Sequence, residues 1–225
     1  MASDVDICNL ALANLGDAAN VTSISPVVGG VQAKHCATFY PIARDALLER
    51  HTWNFATKRA PLTVRAETSA QWLYTYTEPA DLVRVIAVYD VDAADDTVVP
   101  SGEVDAWGAA PGLTPTAQPY VREALASGVR ILRTNQADAA LRYVAKVTDA
   151  TKFSPLFVDA LAAYLASMLA GPIVKGDAGT TQGLRWRSIC FGSDGKSGLL
   201  GAAIAADAGQ YVSGARPRQP GAWVR

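Results

Sequence analysis

From Gly30 to Arg59 the apolar positions recur with the spacing of one helix face. Ala33, Ala37, Tyr40, Arg44, Leu47 and Leu48 follow i, i+3, i+4 steps, and Cys36, Phe39, Ala43 and Ala46 widen the stripe. Pro41 lies inside that pattern and lacks a backbone donor, so the spacing predicts a kink there, or a helix that starts near Pro41. Trp53-Asn54-Phe55 follows as an aromatic corner, and burial of its two rings should anchor the helix by several kcal/mol. Upstream, Ile7, Leu10, Ala11 and Leu15 mark a helix over Ser3–Leu15. Ser3 and Asp6 stand in capping-box positions and Gly16 stops the helix. Residues 17–29 read as a loop, broken by Ser25-Pro26 and Gly29-Gly30.

At Ala60 the period changes to two. Residues 61–65 look extended, and Trp72, Tyr74 and Tyr76 alternate on one face of a strand. Leu82–Tyr89 is apolar on both faces except at Arg84, which predicts a central, covered strand. Asp90–Gln118 turns to Asp, Gly, Pro, Ala and Thr. It reads as a long surface excursion carrying one short hairpin, Thr97–Val99 with Val104–Trp107. Val129–Arg133 and Ala140–Val147 give two further strands, with Asn135, Gln136 and Asp138 at the turn between them.

Helical spacing returns after Lys152. Ser154 is an N-cap, Pro155 suits the first helical position, and Phe157, Leu161, Tyr164, Leu165, Met168 and Leu169 form one stripe closed by Gly171-Pro172. Leu156–Val174 approaches the length of a membrane span. Asp159 in its first turns and the soluble-type caps make it a core helix instead, because a charge inside a span is costly. A helix or helix pair follows over Thr180–Val212. The order predicts an α+β fold: a helical bundle from 1–59 and 151–212, a small antiparallel β insertion over 60–150, and an extended tail over 213–225.

Composition narrows the function classes. Half of the 225 residues are hydrophobic, enough for one sizeable core or two small ones. A net charge of −1 gives no bulk electrostatic case for a nucleic-acid binder. Cys8, Cys36 and Cys190 lie far apart without a CxxC and read as reduced, buried thiols. The first residues carry two acids and no basic region, unlike a signal peptide.

Candidate chemistry is sparse. Gly192-Ser193-Asp194-Gly195-Lys196-Ser197 approaches a phosphate-binding loop and follows a strand-like WRSICF, but the required first glycine is Cys190 and Asp194 would face the phosphates. The glycines at 192, 195, 198 and 201 instead suggest a smooth helix face. His35 and His51 have no companions at metal-ligand spacing, so neither metal nor cofactor is expected. Glu49, Glu78 and Asp81 are the acids beside apolar runs, and Asp81 suits a turn cap. The tail carries Arg216, Arg218, Trp223 and Arg225 without an acid, the residue types that dominate interface hot spots, so these are the expected partner-binding residues.

Taken together, NLALANLG (Asn9–Gly16), FYPIARDALLERHTWNFATKRAPL (Phe39–Leu62), EPADLVRVIAVY (Glu78–Tyr89) and YVAKVTDATKFSPLFVDALAAYLASMLA (Tyr143–Ala170) stand in an order that resembles the tail tubular protein A, or head-to-tail adaptor, family of short-tailed bacteriophages. The likeness covers roughly residues 5–170; the glycine-rich 192–201 region departs from it. The resemblance implies a non-enzymatic virion protein of the tail neck, made in the host cytoplasm. It would form a homo-oligomeric ring, twelve-fold in that family, between portal protein and tail nozzle protein. Tail fibres are a further possible partner, genomic DNA passes through without sequence recognition, and no membrane is involved. The rival reading is a tail-associated cell-wall hydrolase using Glu78 or Asp81, or Glu49, as its acid. A nucleotide-binding module at Gly195-Lys196-Ser197 is a third.

Overall fold

The computed structural model describes residues 2–28, 30–92, 117–194 and 197–210. Among these the chain is α+β, with five α-helices and antiparallel sheets. It divides into two compact units. Asp4–Cys36 joins the chain from Ser154 onward, and Ala37–Phe153 forms the other.

In the helical unit, α1 (Asp4–Asn14) ends where Gly16 takes φ 75° and the amides of Gly16 and Asp17 return to the carbonyls of Ala13 and Leu12. Its buried residues are Ile7, Cys8, Ala11 and Leu12, while Leu10 turns partly to solvent. The following loop is more ordered than its breakers suggest. Asn9 holds Val21 through both amide atoms, at 2.9 and 3.0 Å, and a two-residue hairpin pairs β1 (Ser23–Ile24) with β2 (Val27–Val28). Side chain-to-backbone bonding of this kind leaves little trace in hydrophobic spacing. Next, α2 (Gly30–Arg50) begins well before Pro41 and runs through it.

Helix α3 (Pro155–Val174) is the centre of this unit, in contact with α1 and with two later helices, α4 (Gly176–Phe191) and α5 (Gly198–Ala208). Ser154 Oγ accepts from Phe157 N at 3.3 Å, and Pro155 fills the first helical position. From Ala160 the burial extends around the helix, through Leu161, Ala162, Ala163, Leu165, Ala166, Leu169 and Ala170, as for a helix enclosed by neighbours. Among the described residues, α3 is the one helix long and apolar enough to cross a membrane. Gly171-Pro172 does not close it. The helix continues to Val174, and Lys175 at φ 63° turns the chain into α4.

The glycines expected to share a helix face at 192–201 do not lie on one helix, since Gly192 follows α4 and Gly198 opens α5. Gly198 does make a close backbone approach, where a Cβ would meet Ile189 O at 2.5 Å. A second close approach lies on α4. Gly179 and Gly183, one turn apart on α4, face α3. A Cβ would meet Ala170 O at 2.8 Å from Gly179, and Ser167 O at 3.1 Å from Gly183, so the absent side chains permit the close approach. Residues 186–191, read as strand-like, form the last turns of α4.

In the β unit, the rest of α2 buries Tyr40, Ala43, Arg44, Leu47 and Leu48. Trp53 is fully buried and donates from Nε1 to Leu47 O at 2.9 Å, whereas Phe55 is only half-buried. The rings continue as a chain, Trp53 to Phe55 at 5.7 Å and Phe55 to Phe153 at 5.6 Å. The strands are β3 (Thr57–Pro61), β4 (Thr63–Arg65), β5 (Tyr74–Thr77), β6 (Leu82–Asp90), β7 (Tyr120–Ala124), β8 (Arg130–Thr134) and β9 (Ala139–Ala145). They form a three-stranded sheet, β3-β9-β6, and a four-stranded sheet, β4-β5-β8-β7. Residues of both sheets share one core: Tyr76 and Leu132 from the second, with Val85, Val88, Leu141 and Tyr143 from the first.

Two strand expectations change. β6 is covered, but β9 is the central strand of its sheet; beyond β6 the described residues add only a single bridge, Val88 to Gln118. An apolar pattern on both faces reports cover above and below, not position within the sheet. Nor are β8 and β9 a hairpin. Between them the chain crosses from one sheet to the other at residues 135–138, with Asp138 at φ 47° and Tyr76 OH donating to Gln136 O at 2.8 Å. β7, which the sequence reading passed over, pairs with β8 instead. The hairpin expected at Thr97–Val99 and Val104–Trp107 lies outside the described residues.

Candidate functional site

The two acids of the hydrolase reading flank Pro79-Ala80, where the chain crosses from β5 to β6 and so from one sheet to the other. Glu78 continues the inward alternation of Tyr74 and Tyr76 and is 9% exposed. Arg122 on β7 grips it with two bonds, Nε to Oε1 at 2.7 Å and Nη2 to Oε2 at 3.0 Å. This bidentate pair raises the Arg122 pKa, the hydrogen bond to Glu78 leading, and occupies both oxygens of the acid.

Asp81 is held from two strands. Lys58 Nζ on β3 lies 2.6 Å from Oδ2, and Tyr143 OH on β9 donates to Oδ1 at 2.9 Å. Its backbone carbonyl accepts from Lys146 N at 2.7 Å. Burial pushes the carboxyl up, but the bonds from Lys58 and Tyr143 and the Lys58 charge together outweigh it, and the net shift is downward. Tyr143 is pushed up to about 12, by burial first and then by the carboxylate beside it. A general acid needs a raised carboxyl pKa and an oxygen free to reach substrate. Glu78 is fully engaged and Asp81 stays ionised, so both tie strands together. Glu49, the third acid considered, is exposed in the last turn of α2.

The lowered Asp81 pKa gives a pH signature. Stability drawn from this carboxylate is fully present above its ordinary value of 3.8 and is lost as pH falls through the lower native value. Asp81→Asn should therefore destabilise the protein at pH 7 and lose most of that penalty near pH 2, in paired urea melts. An equal penalty at both pH values would show that the charge is not the source.

The glycine-rich segment does not present a phosphate cradle among its described residues. It joins two helices, and Asp194 Oδ1 accepts from Ser197 N at 2.8 Å and Ser197 Oγ at 2.7 Å, taking a donor that a phosphate would use. Gly195 and Lys196 lie outside the described residues. Among those described, no group of His, Cys, Asp and Glu is arranged to hold a metal ion, and His51 packs edge-on against Trp53 at 4.9 Å. The three cysteines are buried thiols outside any disulfide. An open depression of about 500 Å³ lies along the β4 edge, where Arg65 is paired to Glu67 through Nε at 2.9 Å and Nη2 at 2.6 Å.

The expected partner-binding residues, Arg216, Arg218, Trp223 and Arg225, lie outside the described residues. Sequence reasoning missed Arg122 as the partner of Glu78, because no local signal links residues 44 positions apart. No family model matches the chain, and no curated protein matches it either.

Proposed function

We propose that the chain is a structural virion protein, a head-to-tail adaptor subunit that forms a ring between portal and tail nozzle around the DNA channel. The observation that carries this reading is the ordered set of motifs over residues 5–170. Supporting it, the motif residues act as scaffold. Trp53 of the WNFA corner is a buried anchor, Glu78 and Asp81 of the EPAD corner are strand ties, and Ser154 caps the central helix. The reading brings an arrangement with it, a bundle built from both ends of the chain with the β region inserted. The grouping of Asp4–Cys36 with the chain from Ser154 onward supports that arrangement. Exposed Val27, Val28, Val31 and Leu184 offer apolar surface to neighbours, and the near-neutral charge suits a conduit that must not grip DNA.

Native mass measurement with and without a portal ring tests the reading. The chain is expected to join the portal as a ring of copies; a chain that stays monomeric and unbound would overturn it. Truncation after Val212 should leave the melting temperature nearly unchanged and weaken portal binding, because Trp223 and the arginines are the proposed contacts. Unchanged affinity would move the interface away from the tail. Incubation with peptidoglycan should give no turnover above buffer, and turnover lost on Glu78→Gln would favour the hydrolase.

A further inference from the structure

Cys8 and Cys36 lie in the helical unit, one on the buried stripe of α1 and the other in the second turn of α2. Both are fully buried. The segment between them is folded back by side-chain bonds. Asn9 holds Val21, and Gln32 Nε2 donates to Asp17 Oδ2 at 3.2 Å, which brings the start of α2 beside the end of α1. Within this fold the Cys8 thiol donates its hydrogen to the Cys36 sulfur. The adaptor reading uses neither cysteine, and packing alone asks only for a small apolar group at each position.

The contact makes the two thiols unequal. The bond from Cys8 holds the Cys36 pKa below its ordinary value, against the opposing effect of burial. Cys8 is pushed up, by the same bond first, then by burial and by the neighbouring Cys36 and Asp4 charges. One sulfur therefore takes thiolate character while the other keeps its proton. Peroxide-reactive pairs need this division, between a cysteine that attacks and a cysteine that resolves. Cys190 is placed differently, at the end of α4, where Sγ donates to Ala160 O of α3 at 3.4 Å.

We propose that Cys8 and Cys36 are a dithiol oxidation site, at which a peroxide converts the two thiols into a disulfide that joins α1 to α2. The Cys36 thiolate attacks one peroxide oxygen. The O–O bond breaks, the hydroxide released takes up the proton that Cys36 had lost, and Cys36 becomes a sulfenic acid. The Cys8 sulfur then attacks the Cys36 sulfur. The S–O bond breaks, and hydroxide leaves with the Cys8 proton as a second water. The sulfur pair loses two electrons and the peroxide gains them. Because both sulfurs are buried, the oxidant must be small and α1 must open locally to admit it. The disulfide closes a loop that contains the β1–β2 hairpin, and so restrains the segment that exposes Val27, Val28 and Val31. The site does not depend on the adaptor reading.

The test treats the folded wild-type chain with hydrogen peroxide, removes the excess with catalase and alkylates the remaining thiols in denaturant. Intact mass and a non-reducing tryptic digest are the readouts. Lys34 separates the two cysteines and Arg44 follows, so they fall in different tryptic peptides. The chain should lose two hydrogens and two of its three alkylatable thiols, with the Cys8 and Cys36 peptides joined and Cys190 alkylated. Dithiothreitol should reverse the change. Neither Cys8→Ala nor Cys36→Ala should lose two hydrogens. In Cys8→Ala, dimedone should trap a sulfenic acid on Cys36; in Cys36→Ala, Cys8 should react at least ~10-fold more slowly, the loss expected for a thiol held protonated. Circular dichroism establishes the fold of each variant, and the wild-type digest decides alone where a variant does not fold. Cys8 and Cys36 both alkylated after treatment, oxidation of either sulfur without a link between them, or a link to Cys190 overturns the proposal.

Discussion

Replacing Trp53 with alanine is expected to cost about 3–5 kcal/mol, the range for deleting a large buried aromatic. The side chain is fully buried. Its partners make the loss more than one of volume. Leu47 O lies in the last turn of α2, a helix ending at Arg50, where a carbonyl can accept from outside the helix. Trp53 Nε1 donates to it at 2.9 Å. The residue therefore packs the corner and caps the helix that leads into it. Trp53→Phe separates the two roles, because most of the ring remains while the donor is lost. That variant should cost roughly 1–3 kcal/mol, the loss of a buried hydrogen bond plus a small cavity. Urea unfolding of the three chains measures both differences, with the denaturant dependence unchanged if the native state stays compact. A Trp53→Ala protein as stable as wild type would place the corner at the surface.

The corner was legible because its signal is local: a helical stripe, then two aromatics within three residues. Ser154-Pro155 was legible for the same reason, since an N-cap and the residue after it specify a helix start without distant help. Legibility ends where register and crossing decide. The pattern of Leu82–Tyr89 requires cover on both faces, yet the same pattern suits β9, and only pairing makes β9 the middle strand. Asn135-Gln136 and Asp138 have the composition of a hairpin turn, and the composition does not distinguish a turn within a sheet from a step between sheets. The Arg122 grip on Glu78 belongs to this second class. It arises when residues 44 positions apart come together, as Lys58 and Asp81 do across 23 positions. The glycines show both sides. Gly16 was readable as a helix stop, whereas the close approach of α4 to α3 sits at Gly179 and Gly183 and not in the more conspicuous series from Gly192.

Gly16 and Gly198 offer a comparison in which one variable changes. Both hold φ 75°, a left-handed backbone that costs a side chain roughly 1–2 kcal/mol. Around Gly16 nothing lies within 4 Å of a built Cβ, so Gly16→Ala should cost only that strain. At Gly198 the Cβ would meet Ile189 O at 2.5 Å, Gly192 N at 2.7 Å and Cys190 O at 2.9 Å. All three are backbone atoms at the C-terminal end of α4, where no side chain can swing aside. Relief requires α5 to move away from α4, and Leu200 and Ala203, both buried on α5, would lose packing with it. Gly198→Ala should therefore exceed Gly16→Ala by at least ~2 kcal/mol, the scale of an overpacked contact with no rotamer to yield. The excess should appear in proteolysis or hydrogen exchange as local opening of α5 before global unfolding. Equal costs for the two substitutions would mean that α5 is not seated against the end of α4, and that backbone strain alone selects glycine at both positions.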